Sequence, residues 1–504
     1  MSGVTMSNTR LFLLTALSTF ATACTLGPNF NRPAVSDATG YVQSLPTSSA
    51  ATGVTYGSDV ANDWYSVFHS EPLNGLVHQA LVNSPDLEAA HHGLLAAQYE
   101  LKAVAGSALP QIDATGQIGR DHANGSLLYG PVNELDVTGN RFALGPTLTY
   151  DLDLFGGVRR SIESQRAATS SIRGQALDTY ITLVNQIVIN AFNYAATRRQ
   201  IEVTQSLVQE LRSQFDLTQR LEQAGKITRS DTLEAQTQLA NVAATLPGLE
   251  QQRDTYRNAL AQLSGVAPDD FNMPDLSLKD FGLPPNIPVS LPSVLVRQRP
   301  DILVAEDNLH QASARVGMAE AARFPSISLS AQYAQQTTAL SDFLTRPGSV
   351  WSVGADLTAP IFHGGTLAAH EQEAKEQYLQ AQAMYRKTVV AAFVEVANAL
   401  QSIGHDRDSY LAYGQALDAA KANSDLALVQ YRAGRYTELQ VLTAEQQYQQ
   451  AALSQVQADV RRFTDIATLL RALGGGWWNA SGDPLQPVAS IQSAADAHKA
   501  PAVQ

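Results

Sequence analysis

Apolar residues recur along this chain at two periods, and the change of period predicts two kinds of structure. Leu177, Ile181, Val184, Val188, Ala191 and Ala195 are spaced alternately four and three residues apart, and Ile201, Val208, Leu211 and Phe215 continue the stripe. That spacing describes a helix packed along one seam. Between 159 and 223 there is no Pro and one Gly, Gly174. A helix of about 60 residues is expected there, reaching on the order of 90 Å at 1.5 Å per residue. Residues 367–431 predict a matching one.

Elsewhere the period falls to two. Phe142, Leu144, Pro146, Leu148, Tyr150, Leu152 and Leu154 alternate with Ala143, Gly145, Thr147, Thr149, Asp151 and Asp153. Trp351, Val353, Ala355, Leu357, Ala359 and Ile361 alternate with Ser352, Gly354, Asp356, Thr358 and Pro360, and shorter runs at 112–118 and 327–333 precede these two. Strands are expected at 111–120, 141–155, 325–334 and 350–362, paired through polar loops. One apolar and one small polar face suits a membrane barrel strand, and equally a half-buried sheet of a soluble domain. Lipid tolerates no open sheet edge, so four membrane strands would need partners from other chains. Two chains would supply about eight strands around a filled interior, and three about twelve around an open lumen. Periodicity leaves that choice open.

The second half of the chain repeats the first. Ser-Pro-Asp-Leu at 84–87 returns as Arg-Pro-Asp-Ile at 299–302, and Pro110 maps onto Pro325, both at an offset of about 215 residues. Leu154-Phe-Gly-Gly157 matches Ile361-Phe-His-Gly-Gly365, and Ala224-Gly-Lys226 matches Ala433-Gly-Arg435. The expected organisation is a first repeat at 64–265, a linker at 266–290 and a second repeat at 291–473. The tail at 474–504, rich in Ala, Ser, Pro and Gln, reads as partly disordered.

Each repeat contains a helical hairpin, with tips at 224–231 and 433–440. Gly225 and Gly434 stand where a left-handed residue ends a helix. Thr228-x-x-Asp231 and Thr437-x-x-Gln440 are capping-box patterns that open the next one. Asp231 is therefore either a functional carboxylate at the tip or a cap that bonds back to the Thr228 amide.

The first 23 residues read as a signal peptide, with Arg10 before an apolar run from Leu11 to Ala23 too short to span a membrane. Cys24 is the single cysteine, so no internal disulfide is available. Its place after Ala-Thr-Ala fits an incidental cysteine beside an ordinary cleavage site, or a lipobox in which Cys24 is the lipid-attachment residue and 24–63 a lipidated segment, with Ala21 where a lipobox usually has Leu. Position and uniqueness favour the lipobox. One lipid chain holds weakly, so stable residence needs a second membrane element. The 504 residues carry a formal charge of −13, which disfavours nucleic acid as a partner.

Catalytic chemistry is absent from the sequence. His370-Glu371 begins like a zinc-protease motif, but Ala374 stands where the second His belongs. Adjacent His91 and His92 diverge on a helix and have no third ligand nearby in sequence. No enzyme activity and no cofactor are expected.

Several stretches resemble TolC-like outer-membrane efflux factors, in particular the lipoprotein branch that serves multidrug pumps. They are Leu291 to Ile302, Ala312 to Val316, Ala321 to Ser326, Cys24 to Pro33, Asp153 to Arg160 and Ala472 to Trp477. The resemblance implies a mainly α fold with a transmembrane β portion. Four strands per chain would complete a homotrimeric twelve-stranded barrel in outer-membrane lipid, continuous with a long α-helical periplasmic barrel. It implies a periplasmic adaptor docking at the tips around Gly225, Thr228, Gly434 and Thr437, and an inner-membrane efflux pump that supplies the energy. It places Asp231 and Tyr431 in the contacts that close the periplasmic aperture. It also puts Gln440 and Thr443 where members often have Asp, which implies weaker cation selectivity. The exit of a protein-secretion system is the rival of the same architecture, and a lipid-tethered periplasmic coiled-coil scaffold the rival of another class.

Overall fold

The computed structural model describes residues 25–34, 40–41, 53–124, 136–343 and 348–485. Cys24, the signal segment, parts of both strand-connecting loops and the tail beyond 485 lie outside the described residues. β1 (Val54–Tyr56) precedes the first repeat, which runs through α1 (Glu71–Asn83), α2 (Pro85–Gly106), β2 (Gln111–Asn124), β3 (Asp136–Leu152), α3 (Gly157–Gln223), α4 (Arg229–Ala243) and α5 (Leu246–Leu263). The rest runs through β4 (Ile287–Val289), α6 (Pro292–Gln298), α7 (Pro300–Ala321), β5 (Ser326–Thr337), β6 (Ser349–Thr358), α8 (Thr366–Arg432) and α9 (Glu438–Ala472).

Helix lengths keep the internal symmetry. α2 and α7 each have 22 residues, and α3 and α8 each have 67. The return arm of the hairpin breaks it: α9 is continuous for 35 residues, whereas its counterpart divides into α4 and α5 around Ala244–Thr245. Pro247 at the second position of α5 has no N–H to offer the preceding turn, and α9 contains no Pro.

The chain forms two compact units, and each repeat contributes to both. The first comprises 1–33, 95–171 and 305–385; the second comprises 34–94, 172–304 and 386–504.

The first unit contains an antiparallel sheet in the order β2-β3-β5-β6. The strand register assembles one apolar face across all four strands. Ile112 lies opposite Leu148 and Ile118 opposite Phe142; Tyr150 meets Leu329 and Leu152 meets Ile327; Ala331 meets Val353 and Tyr333 meets Trp351. Asp113, Thr147, Gln332 and Ser352 share the other face. The apolar face is not covered: Ile118 is 80% exposed, Trp351 72% and Val353 75%. Strand ends differ from the alternation. β2 and β3 extend to Asn124 and start from Asp136, because ladder pairing continues past the apolar residues. β3 stops at Leu152 rather than 155, since the Asp153 carboxylate accepts from the amides of Val158 (3.1 Å) and Arg159 (2.9 Å) and opens α3. β6 stops at Thr358, short of the expected 362 and two residues before Pro360, which lacks the N–H a ladder needs.

The core of the second unit is built on the α3 stripe. Leu177, Ile181, Val184, Ile187, Val188, Ala191 and Phe192 are buried against the α9 end at Phe463, Ile466, Leu469 and Leu470. Phe68, Phe192, Phe281 and Phe463 form an edge-on aromatic cluster, with Phe192 centred 4.8 Å from Phe68 and 4.9 Å from Phe281. The expected linker belongs to this core, since Phe271, Leu276 and Phe281 are buried and β4 pairs with β1 in parallel.

Residues 479–485, within the tail expected to be partly disordered, are held: the Asn479 amide donates to the Val60 carbonyl at 2.8 Å and Asp483 lies 3.3 Å from Arg173. His91 Nδ1 sits 2.9 Å from the Leu485 carbonyl, a contact with the same segment.

The Arg-Pro-Asp-Ile motif has a structural task here. Arg299 is buried and donates to Asp301 (2.6 Å), to Glu395 (2.7 Å) and to the Ala472 carbonyl at the end of α9 (2.8 Å). Arg471 closes the network on Glu395 at 2.6 Å.

Candidate functional site

The two hairpin tips, both in the second unit, share one backbone design. After α3 the Lys226 amide reaches back to the Leu221 carbonyl at 2.9 Å and the Gly225 amide to Glu222 at 2.8 Å. After α8 the Arg435 amide reaches Gln430 at 2.9 Å and the Gly434 amide reaches Tyr431 at 2.9 Å. Both are Schellman turns, and Gly225 and Gly434 carry φ of 67° and 68°. Lack of a Cβ is what makes that conformation inexpensive.

The next helix is then capped. The Thr228 amide donates to Asp231 Oδ2 at 2.9 Å, and the Asp231 amide returns to Thr228 Oγ1 at 3.4 Å. The Thr437 amide donates to Gln440 Oε1 at 2.8 Å. Asp231 and Gln440 thus both serve the backbone of their own turn. Thr443 hydrogen-bonds the Leu439 carbonyl at 2.8 Å, within α9.

Four helices meet near these turns. Leu207 and Leu211 of α3 pack with Leu442 of α9 and Leu239 of α4. Ala427 of α8 packs with Val441 and Ala444 of α9, and Tyr431 rests on that cluster. Burial, then the charges of Glu438 and Asp231, raise the Tyr431 hydroxyl above its ordinary pKa.

Glu438, which no sequence motif marks, is a third acidic group whose charge acts on Tyr431 together with that of Asp231. Both its carboxyl oxygens are shielded from solvent. Burial pushes it up to about 7, helped by Asp231 and Glu234, with Gln214 beside it working the other way.

Two more carboxyl pairs occur farther along the hairpins. Burial and the neighbouring Glu445 push Glu210 up to about 7, while Ser424 donates to Glu445 at 2.6 Å. Glu210 and Glu445 line a cleft of about 370 Å³ with Tyr410, Tyr448 and Gln449. Burial and Asp406 push Asp465 up to about 7 as well. Carboxyls that face each other in reduced dielectric cannot both ionise cheaply, so each pair retains a proton near neutral pH. Sequence alone gives a faint signal for them: Glu210 and Asp465 each sit next to an apolar-stripe residue, Leu211 and Ile466.

Glu371 is ion-paired to Lys375 at 2.5 Å and to Arg323, and His370 lies 3.1 Å from Glu373 in its own helix. Among the described residues no group of three or more metal-ligating side chains converges, and no helix is long and apolar enough to cross a membrane.

A family model described as outer membrane efflux protein matches residues 76–266 and 291–475. The probable efflux pump outer membrane protein TtgC of Pseudomonas putida is 28% identical over 478 residues, covering 93% of this chain and 96% of that protein. The pyoverdine export outer membrane protein OpmQ of the same species is 28% identical over 421 residues, covering 82% and 88% respectively. Among solved structures, the outer-membrane channel OprN superposes with a TM-score of 0.81 at 29% identity, over 90% of this chain and 100% of that one.

Proposed function

The chain belongs to the outer membrane efflux protein family, and from that premise we propose that three copies form a passive exit duct for small molecules driven out by an inner-membrane pump. The observation that carries this is the open four-stranded sheet, apolar on one face and polar on the other. Such a sheet is stable in lipid only when its edges, β2 and β6, close on other copies. About eight strands would leave an interior filled by side chains, whereas twelve leave a lumen, and a duct requires the lumen. Val390 (60% exposed), Val394 (51%) and Val429 (59%) of α8 give the helical part an apolar surface suited to the same assembly.

In this reading Cys24 carries the lipid anchor and the tips around Gly225, Thr228, Gly434 and Thr437 receive a periplasmic adaptor. Asp231 and Tyr431, with Glu438 near them, hold the periplasmic aperture closed. Gln440 and Thr443 bring no charge to that constriction, so it discriminates weakly between cations and anions. The protein performs no chemistry and needs no cofactor.

The test is accumulation of an organic dye in cells with and without the gene. Deletion raises accumulation and the intact gene restores it. Unchanged dye levels together with a secreted protein retained in the periplasm would favour the secretion exit instead.

A further inference from the structure

The chain's first described residues are locked onto the first unit. Arg160, its side chain 2% exposed, donates to the Leu26 carbonyl (2.9 Å), the Gly27 carbonyl (3.1 Å) and Asn29 Oδ1 (3.0 Å), and pairs with Glu163 at 2.6 Å. Phe30 stacks on His310 with ring centroids 4.3 Å apart, and His310 Nε2 lies 2.9 Å from Glu163. Beside this segment is a cleft of about 620 Å³ lined by Thr25, Arg159, Arg160, Arg166 and His310. Three guanidiniums there face one carboxylate, Glu163, which is already engaged by Arg160 and His310. Burial works against its ionisation, but the hydrogen bonds from His310 and Arg160 keep it below the ordinary glutamate range. Asp153, which pairs with Arg159 at 3.0 Å, also accepts from the α3 amides. Arg166 is exposed and, among the described residues, has no carboxylate partner.

Depth within the unit identifies the ligand. The apolar sheet face ends at Leu152 and Ile327, which pair. Just beyond lie Phe155 stacked on Phe324 at 4.8 Å, and Ile361 and Phe362, 96% and 87% exposed. Aromatic residues at the rim of an outward apolar band mark the membrane–water interface. The Leu26 amide donates to the Phe155 carbonyl at 3.1 Å, and a Cβ on Gly156 would lie 2.7 Å from Thr25. The arginine cleft therefore begins at the aromatic rim, in the headgroup layer that adds roughly 5–7 Å to each side of the hydrocarbon core.

We propose that this cleft binds the phosphate of an anionic phospholipid headgroup in the periplasmic leaflet of the outer membrane, with Arg166 as its principal ligand and Arg159 and Thr25 completing the site. Guanidinium groups hold phosphate oxygens bidentately. Such a lipid ties the barrel rim to α3, and it does so noncovalently and apart from any acyl chain on Cys24. The inference rests on the membrane-barrel reading.

The probe is phosphatidylglycerol, titrated against phosphatidylcholine onto the delipidated full-length assembly, with bound lipids counted by native mass spectrometry. The parent prefers phosphatidylglycerol. Arg166→Gln lowers that preference about tenfold, Arg166→Lys retains part of it, and millimolar inorganic phosphate leaves it intact. Equal preference in parent and Arg166→Gln overturns the proposal, as does displacement by inorganic phosphate, which would mark a free-anion site. The assembly mass in the same spectra separates the two readings: a three-chain mass without lipid preference fails only this site.

Discussion

Gly145 of β3 lies against the backbone of Tyr333 in β5 so closely that a Cβ there would stand 1.9 Å from the Tyr333 carbonyl oxygen and 2.6 Å from Ala334 Cα. Ladder pairing lapses at this point, between Leu144–Gln335 and Thr147–Gln332, where Pro146 also lacks an N–H. The contact sits on the strand pair of the four-stranded sheet that joins the first repeat to the second.

Gly145→Ala therefore separates the two halves of the sheet. The expected result is loss of heat-modifiable oligomer from outer-membrane fractions, because backbone has no rotamer with which to move aside. Wild-type assembly in that variant would show that the two strands do not approach so closely in the membrane.

Removing Arg299 leaves Asp301 and Glu395 without their shared cation and frees the Ala472 carbonyl at the end of α9. Arg299→Ala should cost about 3–5 kcal/mol. Arg299→Lys should recover only part of it, because an ammonium cannot reproduce a fork that bonds three partners. Thermal unfolding of the extracted protein checks the order parent, Lys, Ala.

The tips should tighten in acid. Glu438 holds its proton up to about pH 7 in the folded chain, against 4.5 for the ordinary group. The unfolded chain releases that proton first as pH rises, so the contribution to stability is complete below about 4.5 and is lost by about 7. Amide protection factors, which divide out the intrinsic rise of exchange with pH, are expected to be higher at pH 5 than at pH 8 in residues 225–231 and 434–440. Glu438→Gln should hold the high protection at both. Asp231 and Glu234 face the same carboxyl and raise it, so Asp231→Asn should shift the midpoint downward.

A Cβ added to Gly225 or Gly434 would meet nothing within 4 Å, so substitution there is penalised by backbone alone. Valine should cost about 1–2 kcal/mol at each and reduce dye export. Undiminished export from both variants would separate these turns from docking and closure.

Much of this molecule was legible because its signals are local and periodic. The α3 stripe from Leu177 to Ala195 became the core of the second unit, and the period-two runs became the sheet with its faces as expected. Glycine in the two Schellman turns could be read from its position alone. Strand ends were less legible, since they depend on where Asp153 finds amides to bind. The 266–290 segment looked like a linker because its apolar residues follow no regular period, yet Phe281 packs into the aromatic cluster. The facing carboxyls were invisible for another reason: Glu210 and Glu445, or Asp231 and Glu438, are distant in sequence, and only the packing of different helices brings them together.

The most direct test of a gated duct is planar-bilayer conductance of the purified assembly beside a variant with Asp231 and Tyr431 both changed to Ala. The account predicts near-silence from the parent and stable, large conductance steps from the variant. Silence from a correctly assembled variant would contradict closure at these tips, and silence from both with no membrane β-structure would contradict the duct itself.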